Sequence, residues 1–307
     1  MTAFTNTELP PLLENGTRPP GFFARVADIW AYRDLLGNLV RRELKVKYKN
    51  SVLGFVWTLL NPLLYLVIFT VVFSVILNNP TPRYGLLLLS ALLAFNLFSV
   101  GLTAATTSIT ANGPLVQKVW FPREILPLAA IGANLITFFF QMTILVVGLV
   151  IFRQPPEWGM LWLLPPALLL TLLIGAGLGL MLSALNVYFR DVQHFLELGL
   201  LTWFWLTPVV YPFHLVAVAL NGRFGDGAER LAMLNPMIPI IITFQRVLYN
   251  PTNFNAPDQQ EQFAEMIHRS NLWYVENLGI SAVFALIFVW AGYKVFSRLE
   301  GNLGEEL

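Results

Sequence analysis

The sequence predicts an all-α integral membrane protein with six spanning helices. Of its 307 residues, 56% are hydrophobic and only 12% are charged, and the mean hydropathy is +0.63. Soluble globular chains carry about 25% charged residues. Stretches without charge, each long enough for a spanning helix, separate the charged residues along the chain. These observations disfavour a soluble enzyme, and the net charge of +1 offers no general attraction for nucleic acid.

The N-terminal fifty residues divide into two segments. Residues 1–20 are proline-rich and predict a flexible lead, without the apolar core of a signal peptide. Residues 21–50 predict an amphipathic helix at the membrane interface, with Ile29, Leu36 and Val40 at helical spacing and Trp30 as an anchor. This helix is either a membrane anchor and orientation signal or a gate for an anionic lipid headgroup.

Residues 51–307 predict a single six-span domain. The predicted spans, bounded by charged residues, prolines and glycines, lie at about 53–78, 86–111, 125–151, 161–186, 195–211 and 272–293. A further apolar segment, 231–245, is interrupted by Pro236 and Pro239 and is too short to cross. It is therefore re-entrant or buried against other helices, the alternative being a surface loop.

The distribution of Lys and Arg predicts the orientation. An N-terminus in the cytoplasm places thirteen of the 19 Lys and Arg residues on that side, including Lys118, Arg123 and Arg190. Basic residues near span ends mark the cytoplasmic side. We therefore expect both termini in the cytoplasm and a multi-pass protein in the cell (inner or plasma) membrane.

The loop between the second and third spans predicts a contact with another protein or with the membrane surface. It lies between Pro114 and Pro122 and carries apolar and charged side chains together: Lys118, Val119, Trp120, Phe121, Arg123 and Glu124. Large apolar residues in such a loop suit a docking site. They also suit the aromatic belt of the interface, so composition leaves both readings open.

Aromatic residues cluster in the fifth predicted span, at Trp203, Phe204, Trp205 and Tyr211. Aromatic faces serve as platforms for sugar rings, although packing and bilayer-belt roles explain the same pattern. Arg190 and Asp191, just before this span, are adjacent in sequence and do not face each other on a helix. We expect them to cap helix ends or to pair with other segments.

Several kinds of site are missing from the sequence. It holds no cysteine and no G-x-x-x-x-G-K-[ST] loop, and no ionisable residue occupies the middle of a predicted span. Asp258, Glu261, Glu265 and His268 fall at helical spacing, which we interpret as a solvated face. We therefore expect no catalytic site, no metal and no cofactor in this chain.

Five motifs resemble those of one transporter family. Residues 42–62 (RELKVKYKNSVLGFVWTLLNP), 117–127 (QKVWFPREILP), 186–192 (NVYFRDV), 207–212 (TPVVYP) and 234–236 (LNP) resemble, in this order and spacing, the permeases of type-2 ABC exporters of polysaccharide. That family includes the exporters of O-antigen, galactan and teichoic acid. The resemblance extends over nearly the whole chain from about residue 25.

The resemblance implies a particular assembly. It implies a homodimer of six-span subunits, with re-entrant helices between spans five and six, working with two ATPase subunits that bind ATP and Mg. It also implies outward export of a polysaccharide linked to polyprenyl pyrophosphate. The loop at 118–124 would then dock the ATPase subunit, and the aromatic cluster would line the polymer channel.

A basic cluster precedes the first span at the side where such a lipid would enter. Its members are Arg41, Arg42, Lys45, Lys47 and Lys49. A guanidinium group can donate two parallel hydrogen bonds to the oxygens of a phosphate, so we expect Arg41 or Arg42 to contact the pyrophosphate. The lysines would raise the local concentration of the pyrophosphate. Two alternatives remain: a permease of a small-molecule or drug ABC exporter, and an integral-membrane glycosyltransferase, for which the sequence offers no convincing catalytic set.

Overall fold

The computed structural model describes residues 22–49, 51, 56–76, 81–253, 263, 267–304 and 306–307. Within these residues the regular structure is helical throughout, which confirms the all-α prediction. The proline-rich lead and the run Asp258, Glu261 and Glu265 lie outside the described residues.

Two helices occupy the predicted interfacial segment. Helix α1 spans Phe22–Ala31 and α2 spans Arg33–Tyr48. The sequence predicts one helical segment here, whereas the structure interrupts it at Tyr32, which leaves helical geometry with φ −92° and ψ 19°. Helix α2 packs along the third span.

Five helices are long and apolar enough to span a membrane, and they match predicted spans one to four and six. They are α3 (Val56–Thr70, continued as a π-helix to Ile76), α4 (Tyr84–Ala111), α6 (Ile125–Ile151), α7 (Leu164–Tyr188, after a 3₁₀ turn Trp158–Leu163) and α11 (Asn271–Leu299). Short α5 (Gly113–Lys118) follows α4. The membrane-protein fold class is therefore confirmed.

The fifth predicted span is shorter than expected. Helix α8 covers Val192–Leu206, only 15 residues, or about 22 Å at 1.5 Å per residue, against a hydrocarbon core of about 30 Å. It ends because Pro208 disfavours helical geometry at Thr207, which is extended. Tyr211, which the sequence placed in this span, lies beyond its end. Helix α9 (Phe213–Phe224) follows.

The proline-interrupted segment is buried. A 3₁₀ turn (Ala228–Leu234) and α10 (Met237–Phe244, continued as a π-helix to Tyr249) meet at an angle of 102°. All eight residues of α10 are buried. The surface-loop alternative is therefore wrong, and burial against other helices is confirmed. If this bent pair is one span, the candidates number six.

The Asn235 side chain forms hydrogen bonds that join the bend before α10 to the end of α8. Its Oδ1 accepts hydrogen bonds from the Met237 backbone N–H at 3.1 Å and from Trp203 Nε1 at 2.7 Å. Its Nδ2 donates to Thr207 Oγ1 at 3.0 Å. One side chain thus caps α10 and fixes the aromatic end of α8.

Helix α4 forms the centre of the bundle, packed between α6 and α7 and almost entirely buried. Helices α7 and α11 cross closely, with Gly177 and Gly292 at the point where the two backbones approach. Small residues permit such approach between membrane helices.

Side-chain contacts bring several segments together at one end of the bundle. The end that holds α1, α2, the loop 119–124 and residues 297–307 is called the basic end below.

Candidate functional site

The basic cluster is divided between two flanks of α2. Positions 41, 45 and 49 repeat at helical spacing, and four of the five predicted headgroup residues line one cavity of about 950 Å³: Arg41, Arg42, Lys45 and Lys49. Phe140 of α6 also lines it. Lys47 faces the other flank and lines two different cavities. The structure thus brings four of the predicted residues together and separates the fifth.

The two arginines of the cluster differ in their contacts. Arg42 Nη1 donates to Asn112 Oδ1 at 2.8 Å, and Asn112, which ends α4, donates in turn to the Ser108 carbonyl at 2.8 Å. The Arg42 side chain therefore links α2 to the end of α4. Arg41 is exposed and forms no ion pair or hydrogen bond with any residue that the structure describes. Both arginines are exposed and line the cavity, and they differ in that only Arg42 has a side-chain partner among the described residues.

In the loop after α5, the Trp120 side chain is exposed and the Phe121 side chain is buried. Trp120 is 84% exposed and Val119 is 52% exposed, whereas Phe121 is only 6% exposed. Phe121 packs in an apolar cluster with Leu39 and Phe296. The sequence treated Trp120 and Phe121 alike as surface residues, and for Phe121 this is wrong. Phe121 is buried because residues of other segments, including Leu39 and Phe296, cover it.

The charged residues of this loop likewise include both exposed and buried side chains. Lys118 is exposed at the end of α5. Arg123 donates to the Glu300 backbone carbonyl, and Glu124 is buried. Lys118, Val119, Trp120, Phe121 and Arg123 line a cavity of about 880 Å³ together with residues of α1 and the C-terminal segment. Lys118, Val119 and Trp120 are thus the residues of this loop that a partner protein can reach.

Arg25 joins three segments at the basic end, a feature that the sequence analysis missed. Its guanidinium pairs with Glu124 (Nε to Oε1, 3.3 Å) and with Glu300. Burial, reinforced by the negative charge of Glu300, raises the pKa of the Glu124 carboxyl above its ordinary value. Because the three residues are far apart in sequence, no local pattern could have predicted their contact.

The four aromatic residues of the cluster differ in how far their side chains are exposed. Trp203 packs edge-on against Phe98 of α4, with ring centroids 5.0 Å apart. Phe204 packs edge-on against Phe95 at 5.3 Å. Trp205 is 54% exposed, and the Tyr211 hydroxyl donates to its backbone carbonyl at 2.6 Å. Trp205 is therefore the most accessible of the four predicted channel residues.

Arg190 and Asp191 are both exposed, and Asp191 lies at the start of α8 without a side-chain capping bond. They pair with no residue that the structure describes, so neither the expected helix cap nor the expected pairing is seen in that part of the chain. Asn186, from the same motif, is buried at the end of α7 instead.

Uncharged polar residues form a cavity that the sequence analysis also missed, because it searched the spans for charges only. The cavity, of about 420 Å³, lies between α3, α4 and α6. Four carboxamide side chains line it: Asn61, Asn96, Asn134 and Gln141. Polar residues within spans either join helices by hydrogen bonds or line functional sites.

Comparison with known proteins identifies the family. Residues 34–221 match the ABC-2 type transporter family, which is more than half of the chain. Over 284 residues the chain is 30% identical to the O-antigen export system permease protein RfbA of Myxococcus xanthus, covering 92% of this chain and 98% of the relative.

Two further relatives carry related names. Over 219 residues the chain is 27% identical to an O-antigen export system permease protein RfbA of Klebsiella pneumoniae, covering 71% of this chain and 82% of the relative. Over 182 residues it is 24% identical to the polysialic acid transport protein KpsM of Escherichia coli, covering 57% and 69%. The family match and the near full-length similarity agree with the helical membrane fold, and the chain therefore belongs to the ABC-2 type transporter family.

Proposed function

We propose that this chain is the permease subunit of an ABC exporter that moves a polysaccharide linked to polyprenyl pyrophosphate out of the cytoplasm. The named relatives are permease or transport proteins for O-antigen and polysialic acid, two kinds of polysaccharide. In this proposal the chain lies in the cell membrane, both termini are cytoplasmic, and the basic end faces the cytoplasm.

The observation that carries the proposal is the open cationic cavity on α2. Arg41, Arg42, Lys45 and Lys49 concentrate positive charge beside Phe140 on an apolar span. An amphiphile with a pyrophosphate head and an isoprenoid tail matches this pairing, since guanidinium binds phosphate oxygens and the span accommodates the tail. A neutral or cationic drug would gain nothing from the four basic groups.

The energy for transport is assigned to a separate ATPase subunit. The sequence contains no phosphate-binding G-x-x-x-x-G-K-[ST] loop. Trp120, exposed on a loop at the proposed cytoplasmic side, is the kind of large apolar anchor that protein interfaces bury. The permease therefore contributes the substrate path and the docking loop, and the partner contributes hydrolysis.

A second copy of the chain is proposed to complete the path. Helices α3 and α8 leave apolar side chains exposed, among them Val67, Ile68 and Leu201. Between these helices and α4 lies a cavity of about 610 Å³ whose lining includes Phe204 and Glu197. Two copies facing each other across α3 and α8 would cover the apolar faces and enclose a channel beside the aromatic cluster.

The experiment is an ATPase measurement on the complex with its ATPase subunit in lipid nanodiscs. We expect a polyprenyl-pyrophosphate-linked glycan to stimulate hydrolysis and a lipophilic cationic drug to leave it unchanged. Stimulation by the drug alone would favour a small-molecule exporter and overturn the proposal. Failure to co-purify with any ATPase subunit would overturn the assignment of the energy source.

A further inference from the structure

We infer that the carboxamide cavity between α3, α4 and α6 binds sugar rings of the transported lipid-linked glycan. The inference rests on the proposed function and assigns a glycan-binding site within the subunit. The site consists of Asn61, Asn96, Asn134 and Gln141, and Trp57 and Tyr65 of α3 also line it.

The depth of these residues makes a purely structural explanation costly. Asn96 lies near the middle of the 28-residue α4, and Asn134 and Gln141 lie within about one turn of the middle of the 27-residue α6. Each polar group left without a partner in hydrocarbon costs several kcal/mol. A polar cavity at this depth therefore holds water or a polar ligand.

Most of the hydrogen-bonding capacity of the four amides is unused. Gln141 Nε2 donates to the Thr58 carbonyl at 3.1 Å, and Asn134 Nδ2 donates to the Ala130 carbonyl at 2.9 Å. The side chains of Asn61 and Asn96 bond to no residue within the described part of the chain. Each carboxamide offers donors and an acceptor, which matches a sugar hydroxyl that donates and accepts.

The aromatic residues of the cavity complete this chemistry. Trp57 and Tyr65 are both on α3 and partly exposed. Aromatic rings bind the apolar face of a sugar ring, while neighbouring amides bind its hydroxyl groups. The volume of about 420 Å³ falls within the range of small-molecule pockets, about 300–1,000 Å³.

The position of the cavity links the two ends of the proposed path. Lys47 of α2 also lines it, and Asn96 and Tyr65 are shared with the adjoining cavity beside Phe204 of α8. A glycan entering past α2 would reach the amides before the aromatic cluster. An isoprenoid chain does not match this cavity, because an apolar occupant would leave the side chains of Asn61 and Asn96 without partners.

The natural absence of cysteine permits a direct test. Single variants Asn96→Cys and Asn134→Cys, in the complex with the ATPase subunit in nanodiscs, are treated with a charged methanethiosulfonate reagent. Val146→Cys, on the exposed face of α6 and outside these cavities, is the control. We expect both cavity variants to react and the control, which faces lipid, to remain unlabelled.

Protection by ligand then identifies the occupant. At a concentration about four times its Kd or higher, we expect polyprenyl-pyrophosphate-linked glycan to slow labelling of the cavity variants about fivefold or more, because only the unoccupied site reacts. The same lipid without sugar should not slow it. No labelling, no protection by the glycan, or equal protection by the bare lipid would each overturn the inference.

A functional measurement separates this inference from the proposed function. We compare the ratio of ATPase stimulation by the glycan-linked lipid to that by the bare lipid in the wild type, in Asn96→Leu/Asn134→Leu, and in Thr143→Val on the exposed face of α6. We expect a ratio above one in the wild type and the control, and a ratio near one in the double variant. A wild type that neither lipid stimulates contradicts the proposed function, whereas an unchanged ratio in the double variant overturns the glycan site alone.

Discussion

Arg25 and Glu124, 99 positions apart in the chain, form an ion pair with Nε 3.3 Å from Oε1. The pair is buried, with 15% of the Arg25 side chain and 3% of the Glu124 side chain exposed. Glu300 shares the same guanidinium. The first helix, the loop 119–124 and the C-terminal segment are therefore joined by one cation between two carboxylates.

The first prediction concerns the pH dependence of this contact. The pKa of Glu124 lies above 4.5, chiefly because of burial, so the folded chain binds this proton more readily than the unfolded chain. Its contribution to stability is full below pH 4.5 and is lost as the pH rises through the raised pKa.

Glu124→Gln removes this titration. As the pH rises above 4.5, we expect the unfolding temperature of the variant, measured in detergent, to increase relative to that of the wild type. The exposed Glu306→Gln serves as control and should follow the wild type. A wild-type advantage that grows with pH would show instead that the charged carboxylate stabilises the contact.

The second prediction separates Trp120 from Phe121. Trp120→Ala should weaken association with the ATPase subunit by about 2 kcal/mol, the size typical of a buried interface anchor, while its unfolding temperature stays that of the wild type. Phe121→Ala should instead lower the free energy of unfolding by about 3 kcal/mol, because it empties part of the apolar cluster. Binding titrations and thermal unfolding distinguish the two, and normal binding of Trp120→Ala would exclude the loop as the docking element.

The third prediction assigns different roles to the neighbouring arginines. Arg41→Gln should reduce stimulation of the ATPase by lipid-linked glycan by about tenfold or more, because a charged hydrogen bond to phosphate contributes roughly 1.5–3 kcal/mol. Arg42→Gln should also lower thermal stability, because it removes the contact with Asn112. Lys47→Gln removes one positive charge from the other flank of α2, outside the cavity that contains Arg41, and is the control for the loss of charge. Equal losses in Arg41→Gln and Lys47→Gln would indicate general electrostatic attraction rather than a specific contact.

The fourth prediction concerns the aromatic cluster. Trp205→Ala should reduce polymer export and leave the unfolding temperature near that of the wild type, because this ring is half exposed. Trp203→Phe should lower the free energy of unfolding by about 1 kcal/mol, since it removes the hydrogen bond to Asn235 but keeps an aromatic ring. Unchanged export by Trp205→Ala would assign that ring to bilayer packing.

The fifth prediction tests the crossing of α7 and α11. A Cβ atom on Gly292 would overlap the backbone of Gly177, so Gly292→Ala should cost about 1–3 kcal/mol as the helices separate. Gly175→Ala, on α7 two residues before Gly177, has no atom within 4 Å of the added methyl group and is the matched control. Thermal unfolding of both variants in detergent measures the difference, and equal stability would contradict the close crossing.

The sequence by itself determined the membrane class and the location of most spans. Hydropathy and charge spacing are local properties, so α3, α4, α6, α7 and α11 could be predicted from consecutive residues. The end of α8 was missed, although Pro208 already marks it in the sequence. The division of the basic cluster was likewise readable in principle, since Lys47 falls outside the spacing of Arg41, Lys45 and Lys49.

Only the tertiary structure decided which side chains meet and which remain exposed. Phe121 is buried and Trp120 exposed because distant segments, including Phe296, cover one and not the other. The pairing of Arg25 with Glu124 and the gathering of Asn96 and Asn134 into one cavity depend on contacts between helices. Membrane helices are uniformly apolar toward lipid and toward each other, so a single sequence carries little information on which face is buried, and packing decides it.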